Sequence, residues 1–259
     1  MGETATYIYC LVERAARPAV SRVPPGLPGA ARPELLEISR NLGAVVADVP
    51  LDLYGKNRLD EQLRDLSWVA DIAVAHESVV EHFSRVKGAT VVPMKLFSIF
   101  SSRERALEDF RGRRRELSAI VRRIRGCDEW GVRIMRTLGA VEARRAGTVV
   151  HSGGTAFLAA KKQAREDVRH AALKAGQAAE DAFRTLSRHA KSAHRRDLSP
   201  TTAAPPLLDA AFLVSDKAKG RFRKAVTQQA RVCSRVGGTL TLTGPWPAYN
   251  FVQSSAERG

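Results

Sequence analysis

The 259-residue chain has little of three things that would each have assigned it to a class of protein. It holds only three cysteines, Cys10, Cys127 and Cys233, far apart and odd in number. That spacing builds neither a disulfide framework nor a CxxC metal knuckle, and a reducing compartment is the expected setting. It has no run of the ~20 apolar residues that a membrane-spanning helix requires. The opening MGETATYIYCLVERA carries no basic segment ahead of its short apolar run, so neither secretion nor insertion is expected from these residues. Acidic side chains are also scarce, 27 against 42 lysines and arginines, which leaves a formal net charge of +15.

An excess of that sign suits an acidic partner: nucleic acid, an anionic surface or an acidic protein. Much of it is arginine set along helical patterns, as in RGRRRELSAIVRRIRG (111–126), where Leu117, Ile120, Val121 and Ile124 recur at helical spacing. This describes a solvated basic face opposite a buried one. Neither a helix-turn-helix nor an RNP motif is present, and aromatics are not interleaved with the basic residues. Charge alone supports only non-specific attraction. A basic nucleic-acid-binding protein without enzymatic activity therefore stands as the alternative function.

The order of elements is mixed. TYIYCLVE (6–13) reads as an opening strand. Residues 17–33 hold five prolines and read as a loop, and PELLEIS (33–39) is expected to form a short helix. GAVVADVPLDLY (43–54) reads as a strand that Pro50 places near an edge or end. Residues 58–86 form a helical pattern broken near Ser67, with a core stripe of Leu63, Leu66, Val69, Ala70, Ala73, Val74, Val80 and Phe83. ATVVPMKLFSIF (89–100) reads as a buried strand, after which Ser101 or Ser102 caps the arginine-rich helix. CDEWGVRIMRT (127–137) is a strand and GTVVHSGGT a loop. Residues 155–196 form one long alanine-rich helix that SPTTAAPP (199–206) breaks. A strand at 207–215, a helix at 216–236 and a final strand GGTLTLTGPW complete a β-α-β-α-β order in the second half. A cut near Gly126 gives two domains, 1–125 and 126–259.

The chemical motifs are near misses. HESVVEH (76–82) starts like the zincin HExxH, but its second histidine, His82, comes six residues after His76. Six residues turn through about 600°, so the two imidazoles cannot share a tetrahedral metal. Glu77 and Glu81 then read as a pair on a solvated helix face. SGGT (152–155) could cup an anion before a helix, yet it lacks the phosphate-loop spacing, and Thr155 as N-cap explains it. Cys10 and Cys233 sit among apolar residues, as inert core thiols do. No catalytic, cofactor-binding or metal-binding constellation is found.

In TGPWP (243–247), Gly244 permits an unusual backbone angle, while Pro245 and Pro247 fix their own φ and hold Trp246 between them. Trp246, Tyr249 and Phe251 form a stiff aromatic clasp. It either seals the last strand over the C-terminal core or offers part of itself to a partner, since rigid aromatics are favoured anchors.

LTGPWPAYNFV resembles the C-terminal signature of the gas vesicle protein F and L family, GvpF/GvpL. The resemblance runs over nearly the whole chain, through YIYCLVE, DLSWVADIAVAHESVVEHF, VVPMKLFSIF, DEWGVRIM, SGGTAFLAAKK and LLDAAFLV in the same order. One block departs: many members carry Phe-Gly-Thr where this chain has Leu96, Phe97 and Ser98. The resemblance implies a two-domain α+β protein whose C-terminal domain is a modified ferredoxin-like sheet with helices on one face. It further implies an accessory role in gas vesicle assembly, without enzyme activity or cofactor. The implied partners are the hydrophobic shell subunit and other accessory proteins, and the implied location is the cytoplasm and the gas-facing side of the vesicle. Combined with the charge pattern, it makes Arg113, Arg114, Arg115, Arg122, Arg123, Trp246 and Tyr249 the candidate partner-binding residues. The resemblance further implies shell subunits that expose apolar surface and strand edges before they polymerise, and such surface aggregates unless held.

Overall fold

The computed structural model describes residues 2–137, 154–196 and 205–252. Residues 147–153 of the expected loop, the side chain of Thr155 and most of the 199–206 breaker lie outside them, and the backbone of Gly154 and Thr155 already belongs to a helix. The chain divides into one unit of Met1–Asp128 with Trp246–Gly259 and a second of Glu129–Pro245. A single cut near Gly126 therefore does not describe it, because the tail after Pro245 groups with the N-terminal unit.

In the first unit the strands β1 (Thr4–Glu13), β2 (Glu34–Ser39), β3 (Leu42–Pro50) and β4 (Val91–Pro93) form a sheet in the order β2-β3-β1-β4, and β5 (Ile99–Phe100) pairs β1 as well. All these pairings are antiparallel. Central β1 is buried from Ala5 to Val12, so it reads as a continuous apolar run instead of an alternation. Tyr9 occupies a register break opposite β3, and its hydroxyl accepts a 2.9 Å hydrogen bond from the Leu27 N–H. Gly26 is required there, because a Cβ on it would lie 2.1 Å from that hydroxyl oxygen.

PELLEIS is a strand, not the expected helix. Its backbone completes the β2–β3 ladder from Glu34↔Val46 to Ser39↔Leu42, and six residues give too few helical bonds to compete with a waiting sheet edge. The loop expected at 17–33 is partly a 3-10 segment, Arg14–Arg22. After β3 come α1 (Leu51–Tyr54), α2 (Lys56–Gln62) and α3 (Leu66–Ser84). The break between α2 and α3 is set by Asp65, whose carboxylate accepts from the Ser67 and Trp68 N–H groups at 2.9 and 3.3 Å. The strand expected at 89–100 is split into β4 and β5 by a turn at Phe97, which has φ 63°. Then follow α4 (Arg103–Gly112), capped by Ser102, and α5 (Arg114–Ile124), which buries Leu117, Ile120, Val121 and Ile124.

The second unit contains β6 (Cys127–Arg136), α6 (Gly154–Ser187), β7 (Ser192–Arg195), β8 (Leu208–Ser215), α7 (Lys219–Arg235) and β9 (Gly238–Trp246). The long helix ends earlier than its pattern suggests, and β7 pairs antiparallel with β8 from Ser192↔Leu213 to Arg195↔Ala210. The order is thus β-α-β-β-α-β, with strands arranged β7-β8-β6-β9, which is the ferredoxin-like topology. Trp130, Val132, Ile134, Leu208, Phe212 and Val214 form its core with Ala179, Ala182 and Leu186 of α6 and Phe222 and Val226 of α7. The first unit repeats the strand order, with the 3-10 segment where the first helix would stand.

Candidate interaction surface

The residues of HESVVEH turn out to be structural. Helix α3 buries Ile72, His76, Val79, Val80 and Phe83, a stripe at helical spacing with a histidine inside it. The Tyr7 hydroxyl lies 2.8 Å from His76 Nδ1 and also accepts the Phe97 N–H at 3.3 Å. Tyr9 stacks on the imidazole. Burial pushes the pKa of His76 down to about 4, against a smaller opposing pull from the Met94 backbone, so the ring is neutral at pH 7. His82 sits elsewhere on the helix, with Nε2 2.9 Å from the Ala19 carbonyl oxygen. Sequence reasoning missed His76 because it counted only apolar residues; the spacing 72, 76, 79, 80, 83 was the available signal.

Glu77 also departs from expectation. It is half-buried, and the Tyr249 hydroxyl donates to its Oε2 at 2.5 Å. Burial raises its pKa above the usual carboxylate range, and the Tyr249 bond opposes this only in part. Burial raises the Tyr249 phenol as well. Cys10 and Cys233 are buried, and burial pushes both thiols up, which removes the thiolate character a nucleophile needs. Among the described residues, no group of three or more His, Cys, Asp or Glu side chains is placed to hold a metal ion.

The aromatic clasp divides. Phe251 is buried, and Tyr249 packs against the core of the first unit. The clasp therefore seals the N-terminal core and not, as expected, the C-terminal one. Trp246 is 45% exposed. The arginines divide too. Arg123 donates to the Phe251 carbonyl oxygen at 2.5 Å, fastening the end of the clasp. Arg113 lies between α4 and α5 and pairs with Asp109 and Glu116. Arg114, Arg115 and Arg122 are exposed on α5, with Arg115 and Arg122 nearly in line because seven residues make almost two turns. The structure thus brings Arg123 and Tyr249 into one fastened segment and leaves Trp246, Arg114, Arg115 and Arg122 presented to solvent.

A two-unit α+β chain with a ferredoxin-like second unit and an exposed tryptophan at the end of its last strand is the architecture that comparison with known proteins can name. The family model "Gas vesicle synthesis protein GvpL/GvpF" matches residues 5–253, and the chain belongs to that family. It is 29% identical to gas vesicle protein L of Streptomyces sp. (strain CB03234), over 97% of this chain and 94% of that one. It is 27% identical to gas vesicle protein L2 of Halobacterium salinarum, over 95% and 90% of the respective chains. The fold is similar to the crystal structure of GvpF from Anabaena sp. PCC7120, with TM-score 0.64, 13% identity and 97% of each chain covered. It also resembles GvpF from Microcystis aeruginosa, with TM-score 0.55, 14% identity and coverage of 96% and 99%. A gas vesicle role follows from the family.

Proposed function

We propose that the protein is a non-enzymatic accessory factor of gas vesicle assembly that binds the hydrophobic shell subunit, and other gas vesicle accessory proteins, while the vesicle forms. The observation that carries this reading is Trp246. A large aromatic left 45% exposed, directly ahead of a segment fastened by Tyr249, Phe251 and Arg123, is a rigid anchor that loses little conformational freedom on binding. The exposed Arg114, Arg115 and Arg122 add attraction to acidic patches on a partner and help keep a complex with apolar protein in solution. The work is reversible contact, in the cytoplasm and on the gas-facing side of the vesicle; that location rests on the family resemblance.

The test is co-purification of the tagged protein with the shell subunit, at low and at high salt. Trp246→Ala is expected to reduce capture at both salt concentrations, whereas combined Arg114, Arg115 and Arg122 to Gln substitutions reduce it only at low salt. Capture of the shell subunit unchanged by Trp246→Ala would overturn the reading.

A further inference from the structure

Two helices of this chain carry apolar faces that the described residues leave uncovered, and their charges are opposite. On α3, the side away from the core presents Leu66, 80% exposed, and Val74, 70% exposed, with Ala70 between them. At 100° per residue these three lie within about 80° of arc. Leu63, just before the helix, is exposed as well. Exposed aliphatic residues scattered singly need no explanation, but a row of them along one helix does. Residues 51–84 hold seven carboxylates and three basic side chains, so this apolar row sits in an acidic setting on a chain whose net charge is +15.

Helix α6 supplies the counterpart. Its second half packs into the core through Ala178, Ala179, Ala182 and Leu186, and Ala175 is buried as well. From 157 to 174 no residue is buried, a stretch of about 27 Å at 1.5 Å per residue. The core stripe nevertheless continues in phase along it as Ala160, Ala164, Val168, Ala171 and Ala172, all within about 120° of arc. The same stretch holds five lysines and arginines against two carboxylates. Five turns of helix keep their apolar phase where the chain's own sheet does not cover it.

We infer that the occupant of the α3 row is the exposed half of α6 from a second copy of this chain. Shape and charge agree. Leu66 and Val74 are projecting side chains eight residues apart on one helix, and the alanines of α6 let a facing backbone approach closely enough to receive them. The acidic surroundings of α3 meet the basic flanks of α6, whereas two α6 faces, or two α3 faces, would set like charges against each other. The contact is heterologous, since the patch given differs from the patch received, so association continues beyond a dimer into a ring or an open chain. This goes beyond the shell-subunit reading and does not depend on it.

The experiment is sedimentation or light scattering of the purified full chain over a concentration series, with no other protein present. Wild type is expected to gain mass beyond a dimer as concentration rises, less so at high salt. Leu66→Ser with Val74→Ser, and separately Val168→Glu with Ala164→Glu, are each expected to weaken association at least about tenfold, the order that burying two such side chains supplies. A mixture of the two variants should stop at a dimer, because each retains the patch the other has lost. Circular dichroism and thermal midpoints of these surface variants confirm that they fold. A wild-type chain that stays monomeric to its solubility limit, or variants that associate as wild type does, would overturn the proposal. So would a mixture that gains no mass.

Discussion

The hydroxyl of Tyr249 donates a hydrogen bond to Glu77 Oε2 across 172 residues of sequence. It fastens the end of the chain to α3 at a carboxylate whose other oxygen, Oε1, is buried without a hydrogen-bond partner. Burial and this bond act on Glu77 in opposite directions, and burial is the larger.

Tyr249→Phe should therefore destabilise the protein by about 1 to 3 kcal/mol, the cost of leaving a buried acceptor unpaired, read from urea denaturation. Because Glu77 has a raised pKa in the folded state, its contribution is complete below the unfolded carboxylate value and declines as pH rises through the folded one. In Glu77→Gln that decline should disappear. A combined variant should lose less than the sum of the two single losses, since both act on the same bond.

His76 gives a pH dependence of opposite sign. Its pKa falls from 6.5 to about 4 on folding, so stability is complete above pH 6.5 and is lost as pH falls toward 4. The full effect is roughly 3 kcal/mol at 1.36 kcal/mol per unit. Urea midpoints at pH 7 and pH 4.5 should differ more for wild type than for His76→Gln, which has no such proton to gain.

Phe97 holds a left-handed backbone, φ 63°, at the position where many family members carry glycine. Its ring stacks on Trp68, with centroids 5.8 Å apart and planes 7° from parallel, which offsets a backbone cost of about 1 to 2 kcal/mol. Phe97→Gly loses the ring and relieves the backbone; Phe97→Ala loses the ring and keeps the cost. The glycine variant should be the more stable of the two by about 1 kcal/mol, as measured by thermal or urea denaturation.

In the second unit, Arg196 reaches Glu129 at 3.3 Å and Asp209 at 3.1 Å, and Arg133 also holds Asp209 at 2.6 Å. Glu129 is only 2% exposed. Arg196→Ala withdraws a cation from a buried carboxylate and should cost on the order of 3 kcal/mol. Arg196→Lys should recover only part of this in a urea titration, because one ammonium does not span both carboxylates as a guanidinium does.

Within the clasp, Phe251→Ala should cost about 3 to 5 kcal/mol, as a buried ring does. Trp246→Ala should cost less than about 1 kcal/mol, as changes at exposed positions do. Comparable losses of thermal midpoint in the two variants would show that Trp246 supports the core instead of facing a partner.

What could be read from sequence followed local chemistry. Residues 6–13 make a strand because β-branched and aromatic side chains suit a buried sheet, and Pro50 ends β3 because it cannot continue the ladder. Ser102 caps α4, and Leu117, Ile120, Val121 and Ile124 give α5 its buried face. The family signature in TGPWP was legible because proline, glycine and tryptophan restrict their own backbone or bulk wherever they stand. PELLEIS misled because its helical propensity is real but small, and β3 offered a longer set of backbone bonds. The α3 stripe misled because Leu66 and Val74 are apolar yet face outward, while His76 is polar yet lies inward beside Tyr7.

The sequence by itself determined most of the element types, the charge, the absence of a sequence motif for catalysis and the family, since each depends on residues near one another in the chain. Only the tertiary structure decided that Tyr249 and Phe251 close the N-terminal core, that Arg123 fastens them, and that Trp246 stays outside. Those outcomes depend on which distant backbone and side-chain groups remain to be buried or bonded once the sheets have formed, and no local pattern carries that information.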